Sequence, residues 1–167
     1  LMAPWESAVK RLMDIAVALL VLVGLAPLWL LVAAAIRLDS RGPILFRQER
    51  VGREGKTFTM YKFRSMVLEA EQETGPTWVK DADPRVTRVG RALRALHLDE
   101  IPQCLNFLRG DMSLVGPRPE RPFFVDRFAQ DIPFYMRRFN VKPGLLGWAQ
   151  SKHEFDMQST DFATIAA

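Results

Sequence analysis

The longest uncharged stretch of the chain is the feature that most limits its fold. Residues 15–36, with the sequence IAVALLVLVGLAPLWLLVAAAI, form a run of 22 residues without a charge. As a helix, such a run would be about 33 Å long, enough to reach across the apolar part of a bilayer. The run is too long for the core of a cleaved signal peptide, and no secretory cleavage context follows it. The sequence therefore predicts a membrane segment that stays attached.

The flanks and the middle of this run predict a hairpin that enters and leaves by one face. Lys10 and Arg11 precede the run and Arg37 and Arg41 follow it, and basic residues prefer the cytoplasmic side of a membrane. Pro27, near the middle, removes a helix hydrogen bond and bends the helix. We therefore expect a re-entrant helix-break-helix hairpin, with an ordinary anchor carrying a proline kink as the alternative.

The charge balance points to anionic partners. The 167 residues include 23 Lys plus Arg and 19 Asp plus Glu, a formal net charge of +4, and the basic residues crowd into two regions. The length suits a single domain, and nothing repeats internally. The single cysteine, Cys104, cannot form an internal disulfide and has apolar neighbours. We expect it to be a small core residue in a reducing compartment.

Two strand-like runs separated by Gly52 and Gly55 predict a β-hairpin. The alternation of the second run puts Lys62 and Arg64 on one face, from which both could reach phosphates or lipid headgroups. A solvated strand face would give the same pattern. Together with the helical patterns elsewhere, the hairpin indicates an α/β fold that is mostly helical with a small β-hairpin.

A polar loop and a series of arginines follow the hairpin. Residues 69–84, which include Trp78, are interrupted by Gly-Pro and Asp-Pro pairs and are typical of a loop that can cover a site. Arginines then recur at intervals of three, which on a helix makes a slowly turning basic stripe. The stripe could bind pyrophosphate or anionic lipid, although a solvated helix face has the same pattern. Its members are Arg85, Arg88, Arg91 and Arg94.

The stripe leads to two adjacent carboxylates, Asp99 and Glu100, which stand between apolar residues. Burial and mutual repulsion would raise their pKa values unless a cation offsets both effects, so we expect positive charge beside them. Pro102 suits the first turn of a helix, which puts the pair at a helix junction where free backbone N–H groups can hold an anion. The alternative is a helix cap at Asp99 with an arginine partner for Glu100.

The C-terminal third offers a rigid arginine and a set of aromatic residues. Prolines flank Arg118 and hold it on a stiff backbone, which suits a fixed guanidinium donor. Residues 119–139 mix aromatics with arginines, a pattern that fits a surface in the membrane interface but is also typical of a helical core. His153 stands alone, and a lone histidine is a weak candidate for a metal ligand.

Taken together, these residues resemble the bacterial sugar transferase family of monotopic phosphoglycosyl transferases, over approximately residues 10–150. The resemblance depends on the order of several short motifs and on no single one of them. A basic pair stands before a proline-broken apolar helix, and six further motifs follow in order. They are Lys62-Phe63-Arg64-Ser65-Met66, Asp83-Pro84-Arg85, Leu98-Asp99-Glu100-Ile101-Pro102-Gln103, Gly110-Asp111-Met112-Ser113, Val115 to Pro119, and Lys142-Pro143-Gly144 with Gly147-Trp148-Ala149-Gln150.

The resemblance implies transfer of a sugar-1-phosphate from a UDP-sugar to polyprenyl phosphate, typically undecaprenyl phosphate, with release of UMP. This is the first membrane step in the assembly of exopolysaccharide, O-antigen or another glycan. It also implies a membrane hairpin over residues 1–41 and a catalytic domain over 42–167 at the cytoplasmic face of the inner membrane. The implied partners are the two substrates and membrane lipid, with no nucleic acid, and a homodimer is compatible with the sequence.

The resemblance also implies roles for individual residues. The nucleophile would be Asp99, and Glu100 would lie beside it with Mg²⁺, so both carboxylates are candidate metal ligands. Carboxylate attack on phosphorus gives an acyl phosphate, which divides the transfer into two displacements. The candidate phosphate-binding residues are Arg94, Arg118, Arg85 and Lys62, of which Lys62 could instead face the membrane.

Two departures from the family pattern limit the comparison. Several relatives have Ser before the hairpin proline, where this chain has Ala26, so a hydroxyl that could bond a freed helix carbonyl is absent. From Ser151 onward the sequence also departs from the relatives, which is expected of either a truncated product or a divergent end, and in both cases an arginine that the relatives use for the substrate would be absent. The Pro-Glu-Arg-Pro run at residues 119–122 is similar to larger members that carry additional N-terminal domains, and the chain is expected to be their catalytic portion.

Two other functional classes fit part of the pattern. A membrane-anchored adaptor could use its arginines to bind acidic lipid or nucleic acid without catalysis, but this leaves the dyad unexplained. A nucleotide-sugar pyrophosphohydrolase could use the same metal and carboxylate chemistry with water as the acceptor. The sequence does not specify the sugar, because recognition of hydroxyl stereochemistry depends on the shape of a pocket.

Overall fold

The structure is a computed structural model that describes residues 3–68, 70 and 83–147. Most of the expected loop at 69–84, with Trp78, lies outside these residues, as do Trp148-Ala149-Gln150 and His153. The described part combines helices with small sheets, which confirms the expected mixed fold. The longer elements are α1 (Pro4–Gly24), α2 (Ala26–Asp39), β1 (Leu45–Val51), β2 (Thr57–Phe63), α3 (Arg88–Ala95), α4 (Cys104–Arg109), β3 (Ser113–Val115), α5 (Pro122–Asp131) and β4 (Gly144–Leu146), with 3₁₀ turns at Arg53–Gly55, Leu98–Gln103 and Tyr135–Asn140.

The apolar run is broken where the sequence predicts a break. α1 ends at Gly24 and α2 begins at Ala26, with Pro27 in its first turn, and the two helices are bent by 64°. Proline fits this position because the first helical turn has no partner for its N–H groups. No single helix in the described ranges is long and apolar enough to cross a membrane. The two helices of this bent pair, taken together, are long and apolar enough.

The expected β-hairpin is present. β1 and β2 form a two-stranded sheet, and the Gly52 N–H donates to the Lys56 carbonyl at 2.8 Å across the turn. A second two-stranded sheet, which the sequence analysis missed, pairs β3 and β4 in parallel, with Ser113 opposite Gly144. Its strands have only three residues each, too short for an alternating pattern to be visible in the sequence.

The chain divides into two compact units. The first contains the described residues of the ranges 1–16, 49–60 and 106–167, and the second contains those of 17–48 and 61–105. These units follow spatial contacts and not the expected boundary at residue 41. The division into a membrane hairpin and a catalytic domain therefore stays a prediction.

The core of the first unit uses four of the six aromatic residues in the range 119–139. Phe124, Phe128 and Tyr135 are buried, and Phe128 lies 5.5 Å from Tyr135 between ring centroids. Phe123 and Phe134, by contrast, are 57% and 72% exposed. The core interpretation of this region is thus confirmed for these three rings and for Phe139, which is also buried. The full cluster is Val51, Phe124, Val125, Phe128, Ile132, Tyr135 and Phe139.

Polar residues of α1 in the first unit bind backbone groups. Arg11 donates to the carbonyl oxygens of Phe107 and Leu108 at the end of α4. The buried Asp14 carboxylate accepts from the Ser113 hydroxyl at 3.1 Å and from the Leu114 N–H at 2.9 Å. The N-terminal half of α1 therefore packs through specific polar contacts in addition to carrying basic charge.

The second unit is organised around the end of α2. Its core cluster joins Val32 and Ile36 of α2 to Phe63 of β2 and Leu93 of α3. Immediately after Phe63, the Arg64 side chain is only 5% exposed. Its guanidinium donates to the Ser40 carbonyl at 2.7 Å, the Ser40 hydroxyl at 2.9 Å and the Arg41 carbonyl at 2.9 Å. Arg64 thus bonds the carbonyl groups of the two residues that directly follow α2 and so fixes the chain where this helix ends.

This position corrects one expectation. The alternation of β2 predicted that Lys62 and Arg64 would reach phosphates or lipid headgroups from one face. Instead β2 ends at Phe63, and the Arg64 guanidinium donates its hydrogen bonds to the residues that follow α2. The strand periodicity does not extend to the residue that follows the strand, so the expected shared face is wrong for Arg64.

We predict that Arg64→Met lowers the free energy of unfolding by about 3 kcal/mol, because a buried charged donor and its part-buried hydrogen bonds are lost. Arg64→Lys should lower the free energy of unfolding by less, since an ammonium still donates hydrogen bonds but cannot reach all the acceptors that the forked guanidinium reaches. Urea unfolding in mild detergent measures both changes.

Arg37→Met is the matched control, because the exposed Arg37 donates to a single backbone carbonyl, that of Gly42, near the same helix end. It should cost less than about 1 kcal/mol. Equal losses for Arg64→Met and Arg37→Met would contradict the role given to Arg64.

Candidate functional site

The acidic pair lies in a short 3₁₀ turn between two helices. Thr87 caps α3 by accepting a hydrogen bond from the Gly90 N–H at 2.9 Å. After α3 the backbone takes a left-handed conformation at His97 (φ 54°) and enters the turn Leu98–Gln103, which continues into α4. Asp99 and Glu100 occupy the first part of that turn. The expected helix junction is therefore confirmed.

Asp99 is buried, with 8% of its surface exposed. Burial raises the pKa of its carboxyl, and the charge of Glu100 adds to this effect, while Lys62 and Arg94 oppose it. The opposing cations are the positive charge that the sequence analysis expected beside the dyad. The site thus holds a carboxylate whose charge is poorly solvated and only partly offset by nearby cations, an arrangement that favours reaction of the ionised form with an electrophile.

Glu100 is the member of the dyad that contacts a cation directly. The Lys62 ammonium lies 2.7 Å from Glu100 Oε1, and both side chains are largely buried. Such a pair, once formed, fixes both groups, because separating them would leave an unpaired charge in a poorly solvated position. Lys62, predicted to bind phosphate, is therefore located at the dyad.

Arg94 approaches the same site from the last turn of α3. Its Nε donates to the Ser65 hydroxyl at 2.8 Å, and burial lowers the pKa of its guanidinium, with the Asp99 and Asp83 charges opposing that effect. The Ser65 backbone carbonyl in turn accepts from the Thr87 N–H at 3.1 Å. Arg94 is thus a fixed cation within electrostatic reach of Asp99.

The expected arginine stripe is shorter than predicted. Arg85 precedes α3, which begins at Arg88, and binds the Asp83 carboxylate through its Nε at 2.9 Å and its Nη2 at 2.6 Å. The hydrogen bonds of Arg85 lower the pKa of Asp83. Arg88 and Arg91 are exposed on α3. The Asp-Pro turn interrupts the helix pattern, so four arginines do not form one helical face.

Arg118 belongs to the first unit, whereas the dyad, Lys62, Arg85 and Arg94 all belong to the second. The Arg118 carbonyl accepts a hydrogen bond from Arg138 Nη2 at 2.8 Å. Phosphate binding by Arg118, like that by Arg85, stays a prediction.

Ser65 is the residue at this site that sequence reasoning missed. It lies within the Lys62-Phe63-Arg64-Ser65-Met66 motif, yet no periodicity links it to Arg94, which is 29 residues away. A clue was Gly90 in the middle of a helical pattern, where a Cβ atom would overlap the Ser65 carbonyl. Glycine in a helix costs stability, and close backbone packing is a reason for it to be there.

The donor set of the dyad fits the magnesium ion that the resemblance implies. Mg²⁺ commonly takes one or two protein carboxylates and fills its other positions with water and substrate phosphates. Asp99 and Glu100 provide two adjacent carboxylates. The part of the chain that the structure describes has no group of three or more His, Cys, Asp or Glu side chains suited to a metal. A metal at the dyad would therefore need oxygen ligands from substrate or water.

Comparison with known proteins adds a separate line of information. The family model for the bacterial sugar transferases matches residues 5–165. A UDP-N-acetylgalactosamine-undecaprenyl-phosphate N-acetylgalactosaminephosphotransferase of Aeromonas hydrophila is 48% identical over 159 residues, which are 95% of this chain and 37% of that protein. An undecaprenyl-phosphate glucose phosphotransferase of Komagataeibacter xylinus is 45% identical over 152 residues, 89% of this chain and 29% of that protein.

A third relative is named for UDP-glucose as its sugar donor. The UDP-glucose:undecaprenyl-phosphate glucose-1-phosphate transferase of Caulobacter vibrioides is 50% identical over 143 residues, 84% of this chain and 52% of that protein. The chain thus spans about half, or less, of the length of these three relatives.

The burial of Asp99 predicts a distinctive pH dependence of stability. A carboxyl whose folded pKa is raised binds its proton more tightly in the folded state, so folding is favoured below that pKa and the contribution is lost as pH rises. In metal-free buffer, the free energy of unfolding of the parent minus that of Asp99→Asn should fall as pH rises above about 4, the ordinary aspartate value. Urea titrations at several pH values measure this difference.

Asp83→Asn is the matched control with the opposite sign, because Arg85 lowers the pKa of Asp83. The free energy of unfolding of the parent minus that of Asp83→Asn should rise with pH up to about 4 and then stay constant. A flat or rising difference for Asp99→Asn above that pH would contradict burial as the dominant effect on Asp99.

Proposed function

The chain belongs to the bacterial sugar transferase family, and we propose that it transfers a sugar-1-phosphate from a UDP-sugar to polyprenyl phosphate. The products are polyprenyl-diphosphate-sugar and UMP, and the reaction begins the assembly of exopolysaccharide, O-antigen or another glycan. The observation that carries the proposal is the buried Asp99 carboxylate with two fixed cations near it, in a chain similar to undecaprenyl-phosphate sugar phosphotransferases.

The reaction proceeds by two displacements at one phosphorus. The Asp99 carboxylate attacks the phosphorus that carries the sugar, the bond from this phosphorus to the bridging oxygen breaks, and UMP leaves with the electron pair. An oxygen of polyprenyl phosphate then attacks the same phosphorus and displaces the Asp99 carboxylate. Each step forms one phosphorus–oxygen bond and breaks another, so no oxidant or reductant is required.

The charges around the dyad support this chemistry. Arg94 and Lys62 are cations held by hydrogen bonds, so they can bind a diphosphate without first being ordered. Asp99 and Glu100 would hold Mg²⁺, which neutralises charge on the substrate phosphates. Arg85 and Arg118 are further candidates for phosphate binding, Arg85 with its carboxylate partner Asp83.

The membrane arrangement is part of the proposal. The α1–α2 pair would enter the cytoplasmic leaflet of the inner membrane as a re-entrant hairpin and return to the same face, which puts the chain beside the phosphate of its lipid substrate. Its support is the 64° bend and the apolar side chains exposed on both helices. These side chains include Val9, Leu12, Leu19, Leu20, Val23, Leu30, Leu31 and Leu38.

We predict repeated turnover to UMP only when all reaction partners are present, and a single equivalent of UMP per chain when the lipid acceptor is left out. The purified chain should release UMP from a UDP-sugar with Mg²⁺ and undecaprenyl phosphate, and Asp99→Asn should reduce the rate at least about a thousandfold because it removes the nucleophile. UDP-N-acetylgalactosamine and UDP-glucose are the first donors to test, since they correspond to the sugars of the named relatives. Coupled UMP detection and lipid extraction measure both products.

Asp126→Asn, the same substitution at an exposed aspartate of α5, should stay within about twofold of the parent rate. UMP release at the full rate without the lipid acceptor would indicate a pyrophosphohydrolase. No UMP release from any donor, with lipid binding intact, would favour the anion-binding adaptor.

The re-entrant arrangement predicts that both flanks of the hairpin face the cytoplasm. Single cysteines that replace Ser7 and Arg41, in a Cys104→Ser background, should resist an impermeant maleimide added outside intact spheroplasts and react after permeabilisation. Both positions are exposed in the structure. Labelling of one flank from outside would indicate a straight span and contradict the hairpin.

A further inference from the structure

Ser65 makes contacts with both ends of α3. Its backbone carbonyl accepts from the Thr87 N–H at 3.1 Å, next to Gly90, where any Cβ would overlap that carbonyl. Its side-chain hydroxyl accepts from Arg94 Nε at 2.8 Å in the last turn of the helix. Since Ser65 is itself buried, the guanidinium is fixed relative to a rigid backbone.

The hydrogen bond to Nε leaves the two Nη groups of Arg94 for another partner. Within the described residues, neither Nη group has a hydrogen bond or an ion pair, and neither is a fully buried atom. Asp99 is close enough to influence the Arg94 charge, yet the two side chains do not form an ion pair. An anion between the two side chains could therefore be bound by the Arg94 guanidinium while its phosphorus lies next to the Asp99 carboxylate.

We propose that Ser65 is a positioning residue that keeps the Arg94 guanidinium directed at the diphosphate of the nucleotide-sugar and prevents it from pairing with Asp99. This inference rests on the proposed function. A direct ion pair between Arg94 and Asp99 would satisfy the carboxylate that has to attack phosphorus and would occupy the donors that have to bind the phosphate oxygens. The hydroxyl of Ser65 holds the guanidinium by Nε, so both Nη groups are left for this task.

The inference is specific to the hydroxyl oxygen as a hydrogen-bond acceptor. Ser65→Ala removes that acceptor with little change in volume. Ser65→Cys keeps the size and offers only a weak acceptor, so it should behave like Ser65→Ala, and it provides a second variant if the alanine protein unfolds. If Ser65 acts through Arg94, its loss should have no further effect once the guanidinium is gone.

The test is a double-mutant cycle with Ser65→Ala, Arg94→Gln and the double variant. We expect Ser65→Ala to raise KM for the UDP-sugar about tenfold, the size of one hydrogen bond to a charged group, with kcat changed less than about threefold. Arg94→Gln should raise KM at least as much. The double variant should match Arg94→Gln within about twofold. An unchanged KM in Ser65→Ala and Ser65→Cys, or independent effects that multiply in the double variant, would overturn the inference.

A binding measurement separates this inference from the proposed function. UDP is a diphosphate that cannot transfer a sugar. Its dissociation constant, measured by isothermal titration calorimetry, should rise in Ser65→Ala and in Arg94→Gln, and the double variant should match Arg94→Gln. If the parent turns over no UDP-sugar but the UDP cycle holds, the proposed function falls and the positioning role stands. If turnover is observed but the cycle fails, the positioning role falls alone.

Ser113→Ala is the matched structural control. Ser113 is also a buried serine whose hydroxyl bonds a charged side chain, Asp14, but it belongs to the first unit. It should lower Tm by an amount similar to Ser65→Ala and leave KM within about twofold. An equal rise of KM in Ser113→Ala would show that loss of any buried serine hydroxyl weakens binding and would overturn the specific role of Ser65.

Discussion

The burial of the Asp99 carboxylate beside the partly exposed Glu100 is the constraint on which the second unit depends. An ionised group removed from water must be balanced by nearby charge or hydrogen bonds, or it takes up a proton. Asp99 and Glu100 meet this requirement through Lys62, which contacts Glu100 at 2.7 Å, and through the more distant charge of Arg94. Because these cations must stay in position, the elements that carry them have to be rigid.

Rigidity comes from four consecutive residues at and just beyond the end of β2. Lys62 binds Glu100, Phe63 enters the core, Arg64 binds the end of α2, and Ser65 binds Arg94. The end of α2 contributes again, because the Asp39 carboxylate accepts from the Val89 N–H in the first turn of α3. A single short segment thereby joins the apolar hairpin, the helix that carries Arg94 and the acidic dyad.

Local features of this arrangement were predictable from the sequence. Pro27 marks the helix break, and Pro102 indicates a new helical turn after the dyad, since proline restricts its own backbone wherever it occurs. The glycines at 52 and 55 likewise indicate the turn between β1 and β2. In each case the relevant residues are neighbours in the chain, so the pattern that specifies them is visible without the fold.

Contacts between distant segments were not predictable in the same way. The pairing of Lys62 with Glu100 and of Ser65 with Arg94 depends on how β2 and α3 pack, and no spacing in the sequence encodes it. Arg64 was assigned to the face of Lys62 because strand alternation was extended one residue too far. The aromatic residues near 124–135 left two interpretations open, because the same helical spacing suits a core and a membrane interface.

The role of Asp99 as the nucleophile is tested most directly by intact-protein mass spectrometry after the chain is mixed with Mg²⁺ and a UDP-sugar in the absence of polyprenyl phosphate. A covalent intermediate on Asp99 predicts a mass increase equal to one sugar-phosphate, located on the peptide that contains Asp99, absent from Asp99→Asn and lost when polyprenyl phosphate is added. Turnover in the complete reaction without any such adduct under rapid quenching, or an adduct on a different residue, would contradict the role of Asp99 as the nucleophile.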